Sequence, residues 1–399
     1  MSRPRWLVVG GGIGGLSAAL ALARAGQQVH LLERTAAFRE IGAGLQIGAN
    51  ATRVMHGLGI LDAVEEVAVH PDRGVMMDAV DGTVLTGLTL GRSYRDRYGY
   101  PYLVMHRSDL LDILLAACQN CDLISLENGK HVIAVASRSS GRSSGGTVTC
   151  ADGSSYEADV IVGADGIRST VRQLIDRGEP IASGYVAYRG TMPVTDVADI
   201  NPGDVVIWIG PDMHLVQYPV RRGELYNQVA VFHSYRWEHG EQDWGTPEEL
   251  DERFARVCDP VRQAVALVGR DQRSPIFERD PLPTWRHGRA VLIGDAAHPM
   301  LQYLGQGACQ AMEDALALAE RAAAAGPAAA DPAALDKALL GFEEARLPRT
   351  TRCQLTARPW GRRWHTTDPL LSALRNRLMR ARAYDDYSDV DWLYAEQAV

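Results

Sequence analysis

Residues 6–15, Trp6-Leu7-Val8-Val9-Gly10-Gly11-Gly12-Ile13-Gly14-Gly15, decide the fold. Trp6 to Val9 reads as a short buried strand, and Ile13 to Ala25 as a helix of apolar and small residues at helical spacing. Val29 to Leu32 follows as a second strand ending at Glu33, so the chain opens as a βαβ unit. Gly10, Gly12 and Gly15 match G-x-G-x-x-G between the first strand and the helix, where a dinucleotide-binding loop requires them. Glycine there permits the tight turn, lets the backbone approach a pyrophosphate and packs helix on strand, while the helix N-terminus offers N–H groups to the phosphates. Glu33 is placed to accept a hydrogen bond from an adenosine ribose, and its charge disfavours a 2′-phosphate. The motif alone leaves FAD and NAD both open.

Composition sets the outer bounds. The 399 residues are 46% hydrophobic, enough for large buried cores. Lys plus Arg is 41 against 49 Asp plus Glu, a formal balance of −8 with no basic block, which excludes nucleic acid as an expected partner. Glycine, at 39 residues, exceeds the usual share of about 7%, and much of the excess sits in motif loops. Six scattered cysteines do not form a disulfide framework and fit a reducing cytoplasm. Cys118 and Cys121 have redox-pair spacing but stand alone at a helix end, so they read as packing residues, and no metal site is expected. The N-terminus resembles a secretory signal, yet its five glycines from Gly10 to Gly15 mark it as structure, and no stretch has the length of a transmembrane span.

Outward from the fingerprint, Gly42 to Asn50 reads as a glycine-rich loop before a helix at Ala51 to Leu58. His106 to Cys118 reads as a helix capped by Ser108, and the Ser139–Gly146 stretch as a hairpin tip between Val132–Ala136 and Thr147–Cys150. Asp159 to Val162 is a buried strand, Tyr185 to Phe232 is mostly short alternating strands, and Ala290 to Ile293 returns to a buried strand before a helix at Gly307 to Ala325. Ala322 to Ala334 is low in complexity and carries no chemistry. The expected class is α/β. A Rossmann-like FAD-binding domain is drawn from 1–70, 100–180 and 275–345, with an inserted antiparallel β-sheet substrate domain from 71–99 and 181–274. A helical C-terminal segment, 346–399, is expected to support a homodimer.

Two further motifs separate the cofactors. Asp165-Gly166 closes a turn after the strand Asp159 to Val162, and Gly294-Asp295-Ala296-Ala297-His298-Pro299 precedes Gly305-Gln306-Gly307 at a helix start. With the N-terminal fingerprint in this order, the chain resembles the single-component FAD-dependent aromatic hydroxylases, the group A flavoprotein monooxygenases, from about Arg5 to Tyr394. The resemblance implies FAD held by Gly12, Ile13, Gly14, Gly15, Glu33, Arg34, Gly44, Leu45, Arg107, Asp165, Asp295, Gly305, Gly307 and Ala308. It implies NADH as a transient co-substrate, since no second G-x-G-x-x-G follows a strand, and dioxygen as the oxidant.

The substrate end is carried by His214, Val216 and Tyr218, which share one face of an alternating strand. Gln302 stands four residues after the histidine of the Gly-Asp motif, where many relatives have proline, and can hydrogen-bond a phenol or carboxylate. These three residues, Ser183 to Gly190 and the tryptophan-rich tail resemble the branch acting on 3-hydroxybenzoate. The resemblance implies para-hydroxylation of that phenolic acid to gentisate through a flavin C4a-hydroperoxide, with His214 as hydrogen-bond acceptor or base for a phenol of ordinary pKa near 10. Gln302 is expected to orient the phenol and Tyr218 the far side of the ring or its carboxylate. Salicylate, 6-hydroxynicotinate and a larger phenolic natural product remain open as substrates, as does a flavin-binding regulator without turnover.

Overall fold

The computed structural model describes residues 5–38, 43–138, 145–197, 201–325 and 332–395. Its first layer is a six-stranded sheet in which Arg5–Val9 lies between Val160–Gly163 and Gln28–Leu32, all parallel. Ala290–Leu292 extends it in parallel, and Ile124–Glu127 and Arg286–His287 form its edges. Such strands are covered on both faces, which is why their residues run apolar without alternation. The helix Ile13–Arg24 packs against one face together with the helix Gly307–Ala324. Leu16 and Leu22 are fully buried there, each worth about 1.5–3 kcal/mol of apolar burial. Small residues set the close approach: a Cβ on Gly14 would lie 3.2 Å from the Cβ of Ala311.

The second layer is a seven-stranded sheet containing Arg73–Asp78, Val84–Thr89, Ile181–Pro193, Asp204–Gly210, Met213–Val220, Leu225–His233 and Arg273–Glu278. It is antiparallel except where Asp204–Gly210 runs parallel to Arg73–Asp78, so the inserted sheet is mixed rather than purely antiparallel. Arg273–Glu278 crosses the expected boundary at 274–275 and pairs with Ile181–Pro193. Alternation divides the work of each strand. Met213 and Leu215 join an apolar core with Leu250, Phe254 and Val261 from two covering helices, while His214, Val216 and Tyr218 face the other way. The fold is thus α/β: a Rossmann-like layer, an inserted sheet, and C-terminal helices led by Pro332–Trp364.

Three local expectations change. The glycine-rich stretch after Gly42 contains a strand, Gly44–Ile47, paired antiparallel with Leu103–His106, and the next helix begins at Ala49. Ser108 is not a cap: the helix Arg107–Gln119 starts one residue earlier behind extended His106, and the Ser108 hydroxyl bonds His106 Nδ1 at 2.7 Å. The hairpin strands extend over Val132–Arg138 and Gly145–Cys150, while most of the tip lies outside the described residues, as does part of the alanine-rich stretch. Cys118 is buried, its thiol on the carbonyl of Leu16.

Candidate active site

A cavity of about 840 Å³, within the ~300–1,000 Å³ usual for small-molecule sites, runs between the two layers. At one end it is lined by Gly12, Ile13 and Gly14. The Gly10 carbonyl explains the fingerprint: a Cβ on Gly15 would sit 1.9 Å from that oxygen, and Gly10 itself has φ +108°. The helix that follows has no side-chain cap and no acidic residue in its first turn, and the same holds for the helix Gly307–Ala324. Two uncapped helix N-termini on one cavity, with Gly305, Gly307 and Ala308 beside the second, fit a pyrophosphate at one and the electron-rich pyrimidine edge of a flavin at the other. Gly44, Leu45, Arg107 and Asp295 line the stretch between. Burial pulls the Arg107 guanidinium below its ordinary value, against the pull of the Asp295 charge.

Four expected cofactor residues lie outside this lining. Gly15 acts through packing. The Glu33 carboxylate accepts from Gly11 N at 2.7 Å and from Thr35 N at 2.8 Å, and so pins the fingerprint loop, while Arg34 is exposed at the strand end. Asp165 stands between Ala164 and Gly166 of the wall and accepts from the Ser169 hydroxyl, Thr170 N and Val171 N. Burial pushes its carboxyl above the ordinary value, opposed by those hydrogen bonds.

The other end of the cavity brings His214, Tyr218 and Gln302 together. Gly44 makes room for Tyr218, since a Cβ there would lie 2.4 Å from its ring. Burial raises the Tyr218 phenol well above its usual value, so its hydroxyl keeps its proton. Burial pushes His214 down to about 3, so its imidazole is neutral across the working pH range. Its Nε2 lies 3.4 Å from the Gln302 amide nitrogen, and its Nδ1 lies 2.7 Å from His365 Nε2. Arg189 donates to Gln302 Oε1 at 3.3 Å and lines the same wall. Burial, then the charge of Arg107, pulls its guanidinium down, while Tyr218 pulls the other way. Tyr303 and Trp364 pack around His214 at ring distances of 5.7 and 5.5 Å.

Arg189 and His365 received no role from sequence. Arg189 had a local signal, as the one charge in the alternating run Tyr185 to Gly190; His365 had none, because its partner is remote in the chain.

A buried ion cluster holds the turn carrying Asp295. Asp314 accepts from Gly294 N at 2.9 Å, His298 Nε2 at 2.5 Å and Arg346 Nε at 2.9 Å. Glu313 accepts from Arg346 Nη1 and from Arg349 Nε, at 2.5 and 2.7 Å. Burial alone would raise both carboxyls; Arg346 and then Arg349 outweigh it at Glu313, and His298 and then Arg346 at Asp314, so both lie below the ordinary range.

The fold and this site define a flavoprotein monooxygenase that binds FAD. The chain matches the FAD binding domain family over residues 5–353 and belongs to it. It is 37% identical over 392 residues to 3-hydroxybenzoate 6-hydroxylase of Polaromonas naphthalenivorans (strain CJ2), covering 97% of this chain and 95% of that protein. It is 36% identical to 3-amino-4-hydroxybenzoate 2-monooxygenase PtnB3 of Streptomyces platensis, over 99% of this chain and 97% of that one. Among solved structures it is similar to a salicylate hydroxylase substrate complex, at 27% identity and TM-score 0.80, covering 100% of this chain and 96% of the other. It is also similar to an arginine-to-glutamine variant of Klebsiella pneumoniae HpxO complexed with FAD, at 25% identity and TM-score 0.80, over 96% of this chain and 95% of that one.

Proposed function

We propose that this monooxygenase uses NADH and dioxygen to hydroxylate 3-hydroxybenzoate para to its phenol, giving 2,5-dihydroxybenzoate (gentisate). One oxygen atom enters the ring, the other leaves as water, and NADH supplies the two electrons. The observation that carries this reading is the meeting of His214, Gln302, Tyr218 and Arg189 at one end of a cavity whose other end fits FAD. Relatives at 37% and 36% identity bear the matching name.

When bound, FAD supplies the electron transfer from NADH and the activation of dioxygen. The chain supplies the rest. Arg189 offers a cation to the substrate carboxylate, and the Tyr218 hydroxyl a donor on the same wall. Neutral His214 accepts a hydrogen bond from the phenol at Nε2, whose single lone pair the phenol takes over from the Gln302 amide 3.4 Å away. Its low basicity keeps the proton on the phenol at rest and lets it move to Nε2 only as the ring gives up electron density. Met300, Tyr303, Trp360 and Trp364 line this end with apolar surface that keeps water from the reacting carbon.

Six free cysteines support a reducing, cytoplasmic setting, and among the described residues no helix is long and apolar enough to cross a membrane. Leu370, Leu371, Leu374 and Leu378 are exposed along one helix and support a homodimer.

Product analysis with 3-hydroxybenzoate, salicylate and 6-hydroxynicotinate tests the substrate; gentisate from the first, in proportion to NADH consumed, is expected. His214→Ala should keep FAD and substrate-independent NADH oxidation while hydroxylation falls by about 10²–10⁴-fold, the scale of a lost acid–base group, and electrons pass to hydrogen peroxide. Coupling that survives the substitution refutes the role of His214.

A further inference from the structure

The hydrogen bonds around His214 have a direction, and the direction can be worked out from chemistry alone. A guanidinium only donates, so the Gln302 oxygen faces Arg189 and the Gln302 amide nitrogen faces His214. An amide N–H₂ only donates, so His214 Nε2 is an acceptor and the imidazole proton sits on Nδ1. His214 Nδ1 lies 2.7 Å from His365 Nε2, which must then accept and leave the His365 proton on its own Nδ1. The two ring planes lie within 19° of each other with centroids 4.9 Å apart, the side-by-side arrangement in which an in-plane N–H of one meets the in-plane lone pair of the other. His365 is locked in place: its carbonyl accepts from Asp212 N at 3.0 Å, and its ring stacks on Tyr185 at 4.6 Å.

We propose that His365 is the positioning residue for His214: by accepting from Nδ1–H, it holds His214 in the tautomer whose Nε2 lone pair faces the substrate cavity. The inference rests on the reading of His214 as acceptor for a substrate phenol. In that step the phenol O–H bond breaks and an Nε2–H bond forms. The positive charge gained by His214 is then shared through the hydrogen bond to His365, and the phenol oxygen keeps the electron pair. This is the division of labour by which a second group on one ring nitrogen fixes what the other can do.

The groups facing His365 keep it an acceptor rather than a cation. His214, His233 and Arg375 all disfavour a charge on it, after burial itself. Tyr185 and Tyr303 present ring faces and edges, and Asp212 meets its carbonyl through the backbone. His365 Nδ1 has no partner among the described residues. In the opposite tautomer His214 would present Nε2–H to the cavity, could not accept from a phenol, and would point a hydrogen at the Gln302 amide hydrogens.

Nitrogen-15 NMR of the FAD-loaded enzyme, labelled at histidine and assigned with His214→Asn and His365→Gln, reads the tautomer without any turnover. A His214 resonance pair showing Nδ1–H and bare Nε2 is expected; Nε2–H overturns the proposal. The second arm compares His365→Gln, whose side-chain oxygen can replace the Nε2 acceptor, with His365→Phe, which keeps a stacking ring. With 3-hydroxybenzoate bound, ultraviolet difference titration follows the phenol. His365→Phe should ionise it at a pH higher by about one unit, and lower the product-to-NADH ratio about tenfold, the scale of one lost hydrogen bond to a charged group. His365→Gln should restore both. A shift in His365→Phe that Gln does not reverse, or no shift at all, assigns His365 to packing and overturns the proposal. If His365→Phe does not load FAD, the tautomer measurement on wild type decides alone. Wild-type enzyme that hydroxylates no phenolic acid would instead defeat the substrate reading and leave the tautomer result standing.

Discussion

Replacing Arg346 by methionine keeps a long unbranched side chain but removes a cation that touches both buried carboxylates behind the Gly294-Asp295 turn. Arg346, Glu313 and Asp314 are each no more than 1% exposed, so water cannot take over. The substitution deletes Nε to Asp314, Nη1 to Glu313, and two bonds from Nη2 to the carbonyl and side chain of Gln310. Breaking a buried pair by removing one partner costs about 3–5 kcal/mol. The lower end applies, because Arg349 still serves Glu313 and His298 still serves Asp314. A loss of about 3 kcal/mol corresponds to a midpoint lower by about 6–12 °C for a domain of 150–250 residues.

The pH dependence gives the sign. In wild type both carboxyls are depressed, so their contribution is present above the unfolded carboxylate values and is lost as pH falls through the folded ones. Without Arg346 burial weighs more heavily against the remaining partners, His298 and Arg349, and the carboxyls protonate more readily in the folded variant. The gap between the two proteins should therefore be widest near neutral pH and narrow as pH falls into and below the ordinary carboxylate range. Urea denaturation of the apoproteins, followed by tryptophan fluorescence, measures it, and FAD fluorescence on dilution reports occupancy. A difference below about 1 kcal/mol at neutral pH, or a gap that widens on acidification, refutes the account of this cluster.

Gly15→Ala should abolish stable FAD binding, because the added Cβ meets the Gly10 carbonyl oxygen at 1.9 Å and must push the fingerprint loop off the helix; FAD co-purifying at wild-type stoichiometry refutes this. Leu374→Asp should convert a dimer to a monomer by light scattering, with hydroxylation retained; a monomeric wild type would remove the homodimer.

The parts legible in sequence are those where chemistry and backbone conformation coincide within a few residues. Gly10 to Gly15 is such a place, since a turn, a carbonyl and a helix start meet there, and so is the alternation that turns His214, Val216 and Tyr218 to one wall. Side-chain direction at the edges of motifs was less legible. Glu33 and Asp165 stand at the strand ends that cofactor-binding acids occupy, and the local partners their oxygens also hold, Gly11 and Thr35 for one and Ser169, Thr170 and Val171 for the other, leave no mark in the sequence pattern. The strand Gly44–Ile47 reads as a loop because Gly44 within it and Gly42 and Gly48 beside it weaken propensity, and its pairing with Leu103–His106 is not local. His365 was invisible for the same reason: a contact across 151 residues leaves no periodic trace.

The cavity also draws its wall from opposite ends of the described chain: Gly12 and Gly14 on one side, Asp389, Val390, Leu393 and Tyr394 on another. Tyr394 reaches back to Gly48, where a Cβ would stand 2.4 Å from its ring. On the ribosome the fingerprint loop emerges first, and the residues that complete its enclosure follow about 20–80 s later at ~5–20 residues per second. During that interval the nucleotide loop exists without its lid, so the finished pocket, and with it firm retention of FAD, waits until Asp389 to Tyr394 have been made.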